Sequence, residues 1–153
     1  MRTDTVMDVL RASTPKILEQ VAFVFAEPTD SPEPFGEDVR AASIDFMGPL
    51  TGSLHLTTSS LCAAGLAANL LGVEPDDPAA VAYGADALGE TLNILCGAVL
   101  LELFGAVDSN HFGLPRVGAA PSPDTSLLVE TVSFMTDDGH RIDAGAVWRR
   151  TAP

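Results

Sequence analysis

Residues 77–105, DPAAVAYGADALGETLNILCGAVLLELFG, read as one long helix with a polar line along one side. Asp77 before Pro78 has the pattern of a helix start and Gly105 that of a helix stop, so a helix about 40 Å long is expected over roughly 78–104. At about 100° per residue, Glu90 and Asn93 fall within roughly 40° of Asp86, so the three side chains share one face. Leu88, Leu92, Leu95, Val99 and Leu100 look like core. A carboxylate and a carboxamide in a segment too apolar to need them for solubility are the kind of local inconsistency that marks a site. Asn93 carries the most weight, because asparagine inside a helix costs roughly some tenths of a kcal/mol through competition for backbone hydrogen bonds.

Outward from this helix the chain alternates between two periodicities. Val6, Val9, Leu10, Ile17, Leu18, Val21 and Phe25 recur near helical spacing over roughly 4–26, with Thr14 reading as an N-cap before a first-turn Pro15, a point of restart or kink. Residues 27–37, EPTDSPEPFGE, have the composition of a loop. Two strand-like runs, about 38–47 and 51–57, flank Gly48-Pro49 and read as a hairpin, with Leu54 and Leu56 alternating with polar neighbours. Ser59 or Ser60 is placed to cap a helix through Leu71 that Gly72 ends. After Gly105, runs at about 125–136 and 140–149 are joined by Asp137-Asp138-Gly139, a hairpin turn signal. The expected fold is α+β, with long helices packed on an antiparallel sheet.

The chain has 153 residues, enough for one domain with an ordinary core and too few to expect a second, so residues 1–153 are read as a single domain. Its net charge of −13 comes from 21 acidic and 8 scattered basic residues, with no basic stripe, which makes nucleic acid and anionic membranes poor partners. The N-terminus carries Asp4 and Asp8 and lacks a signal-peptide pattern, and the apolar stretches are broken by Gly, Asn or Glu short of membrane-spanning length, so a cytoplasmic protein is expected. Cys62 and Cys96 read as small buried hydrophobes, and His55, His111 and His140 stand apart, which leaves a zinc or iron site without support. There is no Gly-x-Ser-x-Gly elbow, no Walker-type loop and no Rossmann glycine fingerprint.

Asp86-x-x-x-Glu90-x-x-Asn93 followed by Gly97, with Leu114-Pro115 at the end of the next loop, resembles the signature of the CheC/CheX class of chemotaxis phosphatases. Gly52-Ser-Leu-His-Leu and the segment from Leu61 to Gly72 are similar to the strand and helix that precede the motif in that family. One copy of the motif is present: Glu19 is followed three residues later by Ala22, and Asn69 is preceded three residues earlier by Leu66. The resemblance is therefore to CheX, which is a homodimer in the family, rather than to CheC with its two active helices.

The resemblance implies a phosphatase of the phosphoaspartate on a CheY-like response-regulator receiver. In-line attack of water on phosphorus depends on positioning and charge stabilisation and requires no protein nucleophile. Asn93 would hold the water, accepting through its carbonyl oxygen and donating through its NH2. Glu90, one turn earlier, would pair with a lysine of the receiver's active site and set the register of docking. Asp86 is read as a docking or supporting residue, and Gly97 as a place of close approach by the partner or a facing helix. The receiver would bring its own Mg2+, so no cofactor or metal is expected on this chain. The strong negative charge leads to the expectation that local electrostatics around the helix differ from the global average. Two other readings stay open: a receiver-binding adaptor without turnover, and a structural module associated with the flagellar switch.

Overall fold

The computed structural model describes residues 3–36, 38–49, 51–105, 111–118 and 127–149. In chain order the elements are α1 (Thr3–Ala22), β1 (Ala26–Pro28), β2 (Val39–Met47), β3 (Gly52–Ser59), α2 (Ser60–Leu71), α3 (Pro78–Phe104), β4 (His111–Phe112), β5 (Arg116–Gly118), β6 (Leu127–Thr136) and β7 (Arg141–Arg149). The strands form one antiparallel sheet in the order β1-β6-β7-β3-β2-β4, and β5 also pairs with β2. This is the α+β arrangement expected from the sequence.

The two-residue period of the strands decides where the helices go. Ile44 pairs with Leu54, Leu54 with Ala146, Leu56 with Ala144, and Phe134 with Ile142, and all of these side chains are buried. They form one apolar face, against which Val6, Leu10 and Leu18 of α1, Leu66 of α2 and Leu88, Leu92 and Leu95 of α3 close the core. The opposite face carries Ser43, Asp45, Ser53, His55 and Thr57, as alternation requires. Val132, Phe134, Ile142, Ala144, Ala146 and Trp148 are consumed by the protein's own core, so their apolarity is not an unpartnered surface.

Local chemistry sets the helix ends. Ser59 caps α2 by accepting from the Cys62 N–H, and Gly72 closes it at φ 71°. Asp77 caps α3 by accepting from the Ala79 N–H at 2.9 Å, Pro78 follows, and Gly105 terminates it. Asn69 donates to the Ala22 carbonyl at 2.8 Å, tying the end of α1 to α2, a structural use for the asparagine outside the motif.

Four expectations are corrected. The first helix ends at Ala22 rather than 26, because Phe23 adopts φ 55°. Pro15 lies inside an uninterrupted α1, and Thr14 is buried mid-helix with an unpartnered hydroxyl instead of acting as a cap. Ala26–Pro28 is a strand paired with β6, where a loop was expected from residue 27. Finally, α3 at 27 residues is long and apolar enough to cross a membrane despite its polar interruptions; it serves as the central core helix, with eleven buried residues.

Candidate functional site

The site is built on α3, whose inner side is fixed by the core. Ala87, Leu88, Thr91, Leu92 and Leu95 are buried at 0–1% exposure, and Thr91 satisfies its hydroxyl on the Ala87 carbonyl at 2.8 Å. With that side anchored, helical geometry turns Asp86 and Glu90 fully outward and leaves Asn93 half-buried beside them. Gly97, one turn beyond Asn93, is half-buried on the same face. The sequence placed these four together, and they are together.

Tyr83, Ile94 and Leu101 share that face and were not singled out in the sequence. Offsets of −7, +4 and +11 from Glu90 put all three within roughly 40° of it, a signal legible from spacing alone. Ile94 is 45% and Leu101 58% exposed, so the polar pair is flanked by an apolar ledge. The Glu90 carboxylate acts on the Tyr83 phenol and, with burial and the charge of Asp86, pushes its pKa up to about 12.

The other flank is formed by the segment that enters β5. Gly89, next to Glu90, lacks the Cβ that would stand 3.4 Å from Pro115 Cβ and from Val117 Cγ2. Gly89 is thus the point where the segment entering β5 meets the helix. Leu114, 87% exposed, projects from this segment, and Pro115 does lead into a strand. Arg116 turns away into a bidentate ion pair with Asp45, at 2.7 and 3.0 Å, which holds the Asp45 carboxyl below its ordinary range.

The electrostatics of α3 do not depart from the global charge. Between Pro78 and Phe104 the charged residues are Asp86, Glu90 and Glu102, with no lysine or arginine, so the expectation of a locally different field is not met on this helix. Among the described residues no three His, Cys, Asp or Glu side chains converge as a metal-ligand set. The cysteines are buried thiols with raised pKa values, Cys96 to about 12 through burial, and are unsuited to nucleophilic work. A groove of about 440 Å³ between Asp38, Arg40 and Leu61 on one side and Val81 and Gly84 on the other is not lined by Asp86, Glu90 or Asn93. The motif lies on an open helix face suited to another macromolecule.

A single antiparallel sheet with helices on one face, the longest of them carrying Glu90 and Asn93, is an α+β fold shared with solved chemotaxis proteins. Chemotaxis protein CheX of Desulfovibrio desulfuricans is similar at 21% identity and TM-score 0.72, over 93% of this chain and 98% of that one. CheX of Borrelia burgdorferi, solved as a complex with CheY, BeF3 and Mg2+, is similar at 19% identity and TM-score 0.73, over 97% of this chain and 100% of that one. FliY of Thermotoga maritima shares the fold at 13% identity and TM-score 0.61, over 97% and 91%. No curated protein sequence matches the chain. The sequence model of the family described as "Chemotaxis phosphatase CheX" matches residues 40–135, more than half of the 153. The chain belongs to that family.

Proposed function

We propose that this chain is a phosphatase that hydrolyses the phosphoaspartate of a response-regulator receiver domain in chemotaxis or two-component signalling, acting in the cytoplasm. The observation that carries the reading is the presence of Glu90 and Asn93, one turn apart on the exposed side of α3, in a member of the chemotaxis phosphatase CheX family. The complex of the Borrelia burgdorferi CheX with CheY supports a receiver as the partner.

In this reading the receiver supplies the phosphoryl group and its own Mg2+, and α3 supplies position. Asn93 accepts a hydrogen bond from the attacking water through Oδ1 and donates from Nδ2, which holds the water in line with the P–O bond that breaks. Half-burial limits the rotamers open to Asn93, so little entropy is lost when the water binds. Glu90 pairs with a lysine ammonium of the receiver and fixes the register of the helix. The acidic character of α3 favours that cation and disfavours docking onto a receiver whose carboxylates are not neutralised by Mg2+. Asp86 extends the acidic edge, and Gly97 leaves room for approach beside Asn93. One α3 carries the whole constellation, so a homodimer, expected from the family resemblance, would present two independent sites.

The test is the decay of an acyl-phosphorylated receiver from the same organism, with wild type, Asn93→Ala and Glu90→Ala. Asn93→Ala is expected to lower kcat on the order of a hundredfold with binding of the BeF3-loaded receiver retained, and Glu90→Ala to weaken binding. Failure of the wild type to accelerate decay of any receiver refutes the enzyme. Binding without acceleration would identify an adaptor. Indifference to receiver phosphorylation together with co-purification of rotor components would favour a switch-associated module, the reading to which the fold shared with FliY points.

A further inference from the structure

Among the described residues Leu114 is the most exposed large apolar side chain, at 87%, yet an isolated exposed leucine is ordinary. What sets this one apart is its backbone. Residues 111–118 run antiparallel along β2, with Phe112 opposite Phe46 and Arg116 opposite Ser43. Between those pairs Ile44 and Asp45 face three residues, Gly113, Leu114 and Pro115, so the edge of the sheet carries a bulge with one extra residue. Both ends of the bulge are tied to Asp45: the Gly113 N–H donates to its carbonyl oxygen at 2.9 Å, and the Arg116 guanidinium donates to its carboxylate at 2.7 and 3.0 Å. The Pro115 ring fixes its own φ and confines Leu114 to extended conformations.

The bulge borders the polar face of α3, since Pro115 reaches the helix at Gly89. Asn93 lies one turn beyond Gly89 and about 40° round the axis, so the bulge stands on the Asn93 side of that face and Ile94 on the other. Asp45 and Arg116 are both more than half exposed, and an exposed ion pair adds little to stability. Bidentate geometry gives it a different use, fixing position.

We propose that Leu114 is the apolar anchor that a docked receiver covers beside Asn93, and that the bulge and the Asp45–Arg116 pair hold it in place before docking. This rests on the reading of α3 as the receiver-docking helix. An apolar side chain adds most affinity where its backbone is already ordered, because less freedom is lost on binding. Leu114 then supplies a desolvated contact beside the charge contact of Glu90.

The test is dephosphorylation of a receiver from the same organism charged with acetyl phosphate, together with binding of its BeF3-loaded form. Leu114→Ser should leave the melting temperature within about 2 °C, because so exposed a side chain gives the fold little. It should raise KM, and Kd for the BeF3-loaded receiver, about tenfold while kcat stays within about twofold, since Asn93 is untouched. That factor should persist at high salt, where a charge contact would fade. Arg116→Gln is expected to raise KM about threefold alone and to add nothing to Leu114→Ser.

Unchanged KM and Kd in Leu114→Ser, beside an active wild type, overturn the anchor and leave the proposed function standing. Equal losses from Arg116→Gln in both backgrounds would mean that Arg116 meets the receiver itself, which overturns the presenting role of the pair. A change of oligomeric state in Leu114→Ser, read by sedimentation velocity, would assign the leucine to contact between copies of the chain and overturn the anchor as well. If wild type neither binds nor dephosphorylates any receiver, the proposed function fails and takes the anchor with it.

Discussion

Alanine at Gly84 and alanine at Gly89 should move stability in opposite directions, although both lie inside α3. Each replacement removes unfolded-chain freedom and improves helix propensity, a gain of about 1 kcal/mol. What differs is the neighbour. A Cβ at Gly84 would stand 3.2 Å from the Ala63 carbonyl carbon and 3.2 Å from the Ala64 nitrogen, backbone atoms of α2 that cannot rotate aside. Relief requires the two helices to part, an overpacking cost of about 1–3 kcal/mol, so Gly84→Ala is expected to lose up to about 2 kcal/mol. A Cβ at Gly89 meets side-chain atoms of Pro115 and Val117 at 3.4 Å, the edge of ordinary contact, on a short flanking segment. Gly89→Ala should therefore keep most of its gain, about 0.5–1 kcal/mol. Urea denaturation with matched m values reads both, and the difference between the two variants isolates packing because their unfolded-state terms are alike. Gly84→Ala at least as stable as Gly89→Ala would refute the close approach of α2 and α3.

Ile94→Asp and Leu101→Asp should each cost about 1–2 kcal/mol of stability, the side chains being 45% and 58% exposed, and weaken affinity for a BeF3-loaded receiver about tenfold if the ledge beside Asn93 is covered on docking. Titration calorimetry checks this, and full affinity in both variants would confine the interface to the polar line. His55 bears on acid stability: burial first, and then Arg116, hold its pKa below the ordinary 6.5, with Asp45 opposing, and Nδ1 is buried without a hydrogen-bond partner. The unfolded chain therefore takes up a proton that the folded one resists, so this contribution to stability is complete above about pH 6.5 and is lost as pH falls through the lower folded value. His55→Gln should flatten the slope of unfolding free energy against pH between about 7 and 5, and a slope equal to wild type would refute the assignment.

Most of the framework was legible in the sequence because it is set by local chemistry. Ser59, Gly72, Asp77-Pro78 and Gly105 bound α2 and α3 where expected, since capping and termination at a glycine with positive φ act over a few residues. The alternation of Leu54 and Leu56 fixed the buried face of β3, and the 100° step of α3 aligned Asp86, Glu90 and Asn93 before any fold was known. The sequence could not reveal Ala26–Pro28 as a strand, because three residues carry almost no periodicity and their pairing depends on β6, a hundred residues away. Nor could it assign Gly89 and Pro115 to one contact, or tell the exposed Ile94 and Leu101 from the buried Leu92 and Leu95 by residue type. Tyr83 could be placed on the face of Glu90 by spacing, but whether a phenol two turns away turns toward a carboxylate or away from it is a choice of rotamer. By itself the sequence determined the three helices, the two hairpins, the ends of α2 and α3 and the face on which the polar residues of α3 lie, since these follow from dihedral preferences and short hydrogen bonds. Tertiary structure alone decided the order in which the strands pair, how near the neighbouring segments come and which side chains touch, because those outcomes depend on packing between residues far apart in the chain.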